Sequence, residues 1–482
     1  MSKEINIAPI SRIEGHAKVK ILLDEEGNFA DAKFHTVEMR GFEKFCIGRR
    51  VEERPWITPR ICGVCPWAHH LAAAKAVDAC FGVKIPPTAE KLRRLAYLGD
   101  KVMDFILHFY MLSGPDFVMG PDADYTRRSV FGIVKEHPEL GKKVIHHHHL
   151  AHRMVEIIAG PRRIHPVAAV AGGFSKSLSD NDVAKLKPMA DELLEFAKFT
   201  IDNAKKNIFP QYMDAIKSLG VVETGFLAQV GKDGELDHYD GNLRLMDPDG
   251  SYVDFPPEKY TDYIAEHIEP WTYMKFPYKK SAGSLNLDPD NPTGIYRVNT
   301  LARINCVDKI STPLAQAELE EFREAFGRPA QQTLLYHYAR AIEILYCAEH
   351  FKEILEDPDI TNTDIKADVI PAARRGVGVV EASRGTLIHD YTTDDNGILT
   401  DVNLIVATTH NNAAFNITVK KAANDLIKGG EVDQGLLNKV EMTLRAYDPC
   451  LSCATHDLTG RTPVKVEVVD HHGNLVKTLA NF

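Results

Sequence analysis

Apolar residues alternate with polar ones through "HAKVKILLDEEGNFADAKFHTV", residues 16–37, on either side of a Glu-Gly-Asn turn. That period of two predicts a hairpin, and residues 3–40 read as strands and turns. The pattern changes at Pro66. "WAHHLAAAKAVDACFG" has helical spacing and ends at Gly82, a residue type that stops helices. Thr88 is placed to cap a long helix running to about Leu112, with apolar residues three and four apart. Further helical patterns cover 144–159, 180–206, 313–356 and 411–428. Residues 221–300 are rich in Gly, Pro, Asp, Asn and Tyr and read as a loop-rich or short-strand insertion. Strand character returns over 376–406 in "GVGVV", "GTLIHDY" and "LTDVNLIVAT", and "PVKVEVVDHHGNLVKTL" reads as a last hairpin. The expected class is α+β: a large central helical bundle with small β regions near both chain ends.

Composition narrows this little further. With 482 residues, 44% of them hydrophobic, the chain can bury a core without covalent staples. A formal net charge of −10 argues against duplex nucleic acid or an anionic membrane as a partner, since both repel an acidic chain. No apolar run approaches the ~18 residues that a membrane span needs. The opening "MSKEINIAPISRIEGH" lacks the charged start and apolar middle of a signal peptide. Eight cysteines are too few for a disulfide scaffold of this length, so they are expected to be thiols in a cytoplasmic protein.

The cysteines carry the chemistry. Cys62 and Cys65 stand three apart in "RICGVCPWAHH", and Cys450 and Cys453 repeat that spacing in "DPCLSCATH". Each pair is followed by a histidine, His69 and His456. Two such pairs offer four soft thiolates, which suit zinc, Fe–S clusters, Cu(I) or nickel. Spacing alone leaves a structural zinc and an Fe–S cluster both open. A thioredoxin-like redox motif fits poorly, because neither pair lies in a βαβ unit. The long separation of the pairs also fits poorly with a zinc knuckle, which closes short loops. Cys46, Cys80, Cys306 and Cys347 are isolated. The run His146–His149 with His152 invites a metal reading, but it is taken as a partly exposed helix face.

Further stretches stand in order around the pairs: "SRIEGH" (11–16), "RGFEKFCIGR" (40–49), "HFYMLSGPD" (108–116), "GPRRIHPVAAVAGG" (160–173), "EASRGTLIHDY" (381–391) and "NLIVATTHNN" (403–412). Together with the cysteine motifs they span almost the whole chain, and they resemble the large, catalytic subunit of NiFe hydrogenases. A related subunit of complex I has lost the four cysteines present here. The resemblance implies that Cys62 and Cys450 are terminal on nickel and that Cys65 and Cys453 bridge to an iron carrying CO and two cyanides. It implies that Glu14 is the first proton-relay carboxylate, that Arg384 stands over the metals, and that Asp116 and Asp448 position that arginine. Thr408 matches a hydroxyl donating to a cyanide, and His69 a histidine donating to a bridging sulfur. Glu43, His456 and the carbonyl of Leu404 would hold a structural Mg. His70 is taken as a solvated helix histidine.

The same resemblance implies reversible oxidation of dihydrogen, with electrons passed to an Fe–S small subunit. Ser383, Ala407 and His410 depart from the periplasmic type. The cysteine motifs look closer to cytoplasmic methanogen enzymes of the non-deazaflavin-reducing (viologen-reducing) kind, which feed heterodisulfide reductase through an electron-transfer subunit. A deazaflavin- or NAD(P)-linked hydrogenase is the alternative acceptor reading, and a structural zinc or scaffold subunit the alternative class. Family members are cut after the last histidine by a maturation protease once nickel-insertion proteins have acted. The expected organisation is therefore one catalytic domain over 1–456 and a removable extension over 457–482, with the cut between His456 and Asp457.

Overall fold

The N-terminal alternation folds as its period predicts. In a computed structural model, which describes residues 3–429, 432–456, 465–469 and 475–480, strands β1 (Lys3–Ile7), β2 (Ala17–Leu23) and β3 (Phe29–Thr36) form an antiparallel sheet. Val19, Ile21 and Phe34 are fully buried on its inner face.

Ten helices frame the site and its surroundings. They are α1 (Phe42–Cys46), α2 (Pro66–Phe81), α3 (Pro87–Ile106), α4 (Pro138–Ala159), α5 (Asp180–Asn203), α6 (Thr300–Cys306), α7 (Pro313–Phe326), α8 (Tyr336–Glu356), α9 (Asn412–Leu426) and α10 (Gln434–Ala446). A four-stranded sheet is built from β4 (Gly225–Val230), β5 (Asn242–Met246), β6 (Tyr252–Phe255) and β7 (Tyr296–Arg297), in the order β7-β4-β5-β6. A second, antiparallel sheet joins β8 (Arg375–Ala382), β9 (Gly385–Thr393) and β10 (Leu399–Ile405). Near the C-terminus β11 (Lys465–Val469) pairs with β12 (Leu475–Ala480), as the alternation there predicts. The class is α+β.

Several boundaries differ from the sequence reading, each for a local reason. Pro87 rather than Thr88 sets the start of α3, because proline at the first helical position has the right φ and no amide to satisfy. Thr88 makes no cap, and its hydroxyl donates to the Asp359 carbonyl at 3.4 Å. The helix does reach Leu112, but Leu107–Leu112 runs as a wider π turn. The pattern over 313–356 is two helices, α7 and α8, parted at Gly327 and Pro329. Residues 221–300 form short strands, the second of the two expected forms, and they carry a core. Leu227, Leu243 and Tyr296 of their sheet pack on Val379, Ile388 and Ile405 of the β8–β10 sheet in a core of their own. A larger core runs through the rest, from Ile7 to Ala454.

Helix α2 is buried on nearly every side, as a helix apolar all round must be. Its alanines admit strand β8 at backbone contact. A Cβ on Gly376 would sit 2.3 Å from the Ala76 carbonyl, and one on Gly378 2.0 Å from that of Ala72. This close seam fixes β8, and with it the hairpin tip beyond Ala382, relative to the start of α2 at Cys65 and Pro66.

Candidate metal centre

Both cysteine pairs sit where a loop meets a helix end. Cys65 precedes α2 directly, and the backbone amides of Val64 and Cys65 point at Cys62 Sγ, 3.2 and 3.4 Å away. The second pair follows α10 through Asp448, which takes a left-handed φ of 54°. The Cys450 amide donates to Thr408 Oγ1 at 3.0 Å, leaving that hydroxyl's own hydrogen free for another acceptor. Thr408 lies in a short helical turn, Ala407–His410, beyond β10.

The four sulfurs converge. Sγ–Sγ separations are 3.3 Å for Cys62–Cys450, 3.5 Å for Cys65–Cys453 and 2.8 Å for Cys450–Cys453, and all four thiols are buried. Contacts with the thiols of Cys450, Cys453 and Cys65 hold Cys62 well below the usual thiol range, against burial. Burial, reinforced by the neighbouring thiols, pushes Cys450 far up. One thiolate is therefore favoured among several protonated thiols, and only a cation can keep all four ionised so close together. The donor set, four soft sulfurs with no competing hard ligand among them, fits a nickel–iron pair as well as it fits zinc.

Glu14 reaches this cluster through a backbone splice. Its amide donates to the Pro449 carbonyl at 3.2 Å, and its own carbonyl accepts from Leu451 at 3.0 Å. Its Oε2 accepts from Cys450 Sγ and from the Ser452 amide, both at 3.1 Å. Gly15 makes the splice possible, since φ is +76° and a Cβ there would stand 2.9 Å from the Ser452 nitrogen.

Arg384 occupies the two-residue tip of the β8–β9 hairpin, where Ala382 pairs with Gly385. The tip is buried, so its carbonyls need donors. Arg303 bonds the Ala382 carbonyl at 3.0 Å, while Tyr97 and Lys101 bond that of Glu381 at 2.7 and 2.9 Å. Glu343 and Glu381 in turn hold Arg303, each at 2.8 Å. The Arg384 guanidinium donates twice to Asp104, at 2.9 and 3.1 Å, and lies 3.0 Å from Asp448. Burial works against its charge, but Asp104, Asp448 and the thiols of Cys450 and Cys65 raise its pKa well above the ordinary value. Its Nε is buried and has no hydrogen-bond partner, which leaves one donor for something else.

Asp116 does not share this clamp, contrary to expectation. It accepts two bonds from Arg445, at 2.6 and 3.1 Å, and one from Arg12. Asp116 thereby ties the Arg12–Glu14 segment to the end of α10, and Asp104 takes the place expected for Asp116. Sequence reasoning missed Asp104; its signal is a carboxylate on the apolar stripe of a helix, "KVMDFIL", where a charge must have a partner.

His69 and His70 are both fully buried. His69 Nδ1 lies 3.2 Å from His389 Nε2, whose Nδ1 lies 2.7 Å from the Tyr391 hydroxyl. Burial pushes His69 down to about 4, so the ring is neutral. With Tyr391 donating to His389 and His389 to His69, the His69 proton stands on Nε2, which has no partner in the protein. His70 is not solvated. Its Nδ1–H donates to the Pro55 carbonyl, and its Nε2 accepts the Ala169 amide at 2.8 Å. It is a fully satisfied core histidine.

A second polar cluster gathers Glu43 of α1, Leu404 of β10 and His456. The Leu404 amide donates to Glu43 Oε1 at 2.9 Å, and the Glu43 amide to the His456 carbonyl at 3.2 Å. His456 Nε2–H donates to the Cys453 carbonyl, which leaves Nδ1 buried and unpartnered. Lys275, also missed from sequence, stands 3.6 Å from Glu43 and 3.0 Å from Glu266. The Glu43 carboxylate and the orphaned His456 Nδ1 are the groups a small cation would use here, with Lys275 as the competing charge beside Glu43. Asp457 lies outside the described residues. Among the described residues, no helix is long and apolar enough to cross a membrane.

The family profile described as nickel-dependent hydrogenase matches residues 40–125 and 295–456, and a profile described as HoxL-like matches 4–39. The chain is 48% identical over 426 residues to a vhu-type F420-non-reducing hydrogenase subunit of Methanococcus voltae, covering 88% of this chain and 99% of that one. It is 44% identical over 484 residues to the corresponding F420-non-reducing hydrogenase subunit of Methanothermobacter thermautotrophicus, covering 99% and 100%. Among solved structures, an NAD+-reducing [NiFe]-hydrogenase in the H2-reduced state superposes with a TM-score of 0.89 at 40% identity, over 94% of this chain and 99% of that one.

Proposed function

Because the chain belongs to the nickel-dependent hydrogenase family, as a large subunit, we propose that it cleaves dihydrogen heterolytically and reversibly, as the catalytic subunit of an F420-non-reducing type. The convergence of four buried sulfurs from two distant chain segments carries this reading. Cys62 and Cys450 would bind nickel alone, and Cys65 and Cys453 would bridge it to an iron bearing CO and two cyanides. That pair, when bound, supplies the electron-accepting centre that polarises an apolar, very weakly acidic substrate.

The protein's own residues then handle protons and orientation. Glu14 Oε2, 3.1 Å from Cys450 Sγ, takes the proton from that sulfur and passes it outward. Arg384, held on two sides by Asp104 and Asp448, keeps a positive charge and a free Nε–H fixed in the dry interior. Thr408 would offer its hydroxyl hydrogen to one diatomic ligand, and His69 would offer Nε2–H to one of the shared sulfurs. Glu43, the Leu404 carbonyl and His456 would hold a structural Mg.

All eight cysteines are accounted for by this centre and four isolated buried thiols, so the chain has no electron relay of its own. An Fe–S small subunit is the expected partner, with an electron-transfer subunit and heterodisulfide reductase beyond it in the cytoplasm. The solved NAD+-reducing relative, at 40% identity, favours a nicotinamide acceptor as the second reading. The match of the family profile ends at His456, which supports a catalytic body over 1–456 and removal of the rest by a maturation protease after nickel insertion. The test is dihydrogen uptake by the metal-loaded complex with a viologen and, separately, with NAD+. Uptake with neither acceptor, and no exchange of D2 with solvent protons, would refute the activity.

A further inference from the structure

Outside the thiolate cluster, only one other group of three or more His, Cys, Asp or Glu side chains brings its ligand atoms together among the described residues: His146, His147 and Glu192, within 4.8 Å of one another. Two helices supply it. His146 and His147 stand on α4, and Glu192 on α5. Glu192 Oε1 lies 2.6 Å from His146 Nε2 and 3.7 Å from His147 Nε2. A tetrahedral ion with bonds of about 2.0 Å needs donors about 3.3 Å apart, which these separations bracket.

His146 Nε2 is hydrogen-bonded to Glu192 Oε1, a contact that an ion would replace, and the His147 ring is prepared as a ligand. His147 Nδ1–H donates to the Lys143 carbonyl at 2.7 Å, which fixes the tautomer and leaves the lone pair on Nε2, facing Glu192. A backbone carbonyl on the far nitrogen is the usual outer support of a metal-binding histidine. The His147 ring is held by stacking on Phe196 of α5, with centroids 4.1 Å apart and planes 9° from parallel. The His146 ring stands edge-on to it at 5.0 Å. His149 and His152 are not among the converging ligand atoms, and their own ring centroids are 6.2 Å from each other. The histidine run is therefore not a uniform exposed face. Two of its members aim, with a carboxylate from the next helix, at one spot.

We propose that His146 Nε2, His147 Nε2 and a Glu192 oxygen bind a borderline divalent ion, Zn2+ or Ni2+, with water completing the shell, and that the ion clips α4 to α5. Two imidazoles and one carboxylate suit such ions better than Mg2+ or Ca2+, which take oxygen ligands. The site shares no residue with the thiolate centre.

The holoenzyme complex, freed of loosely held metal on a chelating resin, is titrated calorimetrically with Zn2+ and, separately, with Ni2+. Wild type is compared with His146→Ala, Glu192→Ala and the double variant His149→Ala/His152→Ala. His146 and Glu192 have side chains 59% and 47% exposed, so their replacement leaves the core intact, and hydrogenase activity serves as the folding control. The expected result is one equivalent bound by wild type and by the His149/His152 variant, with a loss of at least tenfold in affinity in each of the other two. The thermal midpoint should rise with the ion only where it binds. Equal binding by wild type, His146→Ala and Glu192→Ala, or loss only in the His149/His152 variant, would overturn the site. The ion with the higher affinity identifies the occupant.

Discussion

Glu14 Oε2 lies 3.1 Å from Cys450 Sγ and accepts the Ser452 amide at the same distance. The carboxylate is therefore held against the sulfur by backbone, and the splice to Pro449 and Leu451 moves it with the cysteine loop. Glu14→Gln keeps the shape and the amide contact but cannot carry a proton. It should retain nickel and iron while dihydrogen oxidation falls by about 10²–10⁴, the usual weight of general acid–base catalysis. Exchange of D2 with solvent protons should fall with it. Full turnover in this variant would remove Glu14 from the proton path.

Asp104 and Asp116 are separated by roles that their side-chain chemistry does not reveal. Asp104→Asn weakens the two-bond clamp on Arg384, so turnover should drop at least tenfold with metals in place. Asp116→Asn leaves Arg12 and the buried Arg445 short of a counter-charge, and breaking a buried pair costs about 3–5 kcal/mol. Its main effect should be a lowered thermal midpoint. Measuring both variants for metal content, midpoint and turnover checks the assignment; identical profiles would contradict it.

Lys101 is buried beside Arg303, Glu343 and the rings of Tyr97 and Phe105. Burial first, then Arg303, pushes it down to about 7. Between pH 7 and its ordinary range near 10.5 the unfolded chain holds a proton that the folded chain has released, so this group adds stability as pH rises. The slope reaches about 1.4 kcal/mol per pH unit. Lys101→Met lacks this titration. Thermal midpoints from pH 7 to pH 9 should therefore shift upward in wild type relative to the variant, and parallel curves would show that Lys101 does not titrate there.

Active enzyme should have the mass of a large subunit ending at His456. Apoprotein made without nickel should keep residues 457–482. An active enzyme whose intact mass includes the tail would refute processing.

The period-two strands, the buried α2 and the paired cysteines were legible because each is a local pattern with one physical meaning. Helix α10 escaped the reading, since it opens on Gln434-Gly435 and its polar residues are as many as its apolar ones. Yet it leads directly into the second cysteine pair. Asp104, Lys275 and the His69–His389–Tyr391 chain were out of reach for another reason. Their partners come from distant segments, and only the folded chain brings Asp104 to Arg384 or Tyr391 to His389. The same limit explains Asp116: its motif fixed its place in the chain, but Arg445 decided its contacts.

Cys62, Cys65, Cys450 and Cys453 are proposed to hold a nickel–iron pair with diatomic ligands. Infrared spectroscopy of the purified complex, read beside its metal content, tests this most directly. The expected result is one nickel at this site and bands of one CO and two cyanides on iron, all lost in Cys65→Ala and Cys453→Ala. One zinc with no nickel, and no such bands, would contradict it.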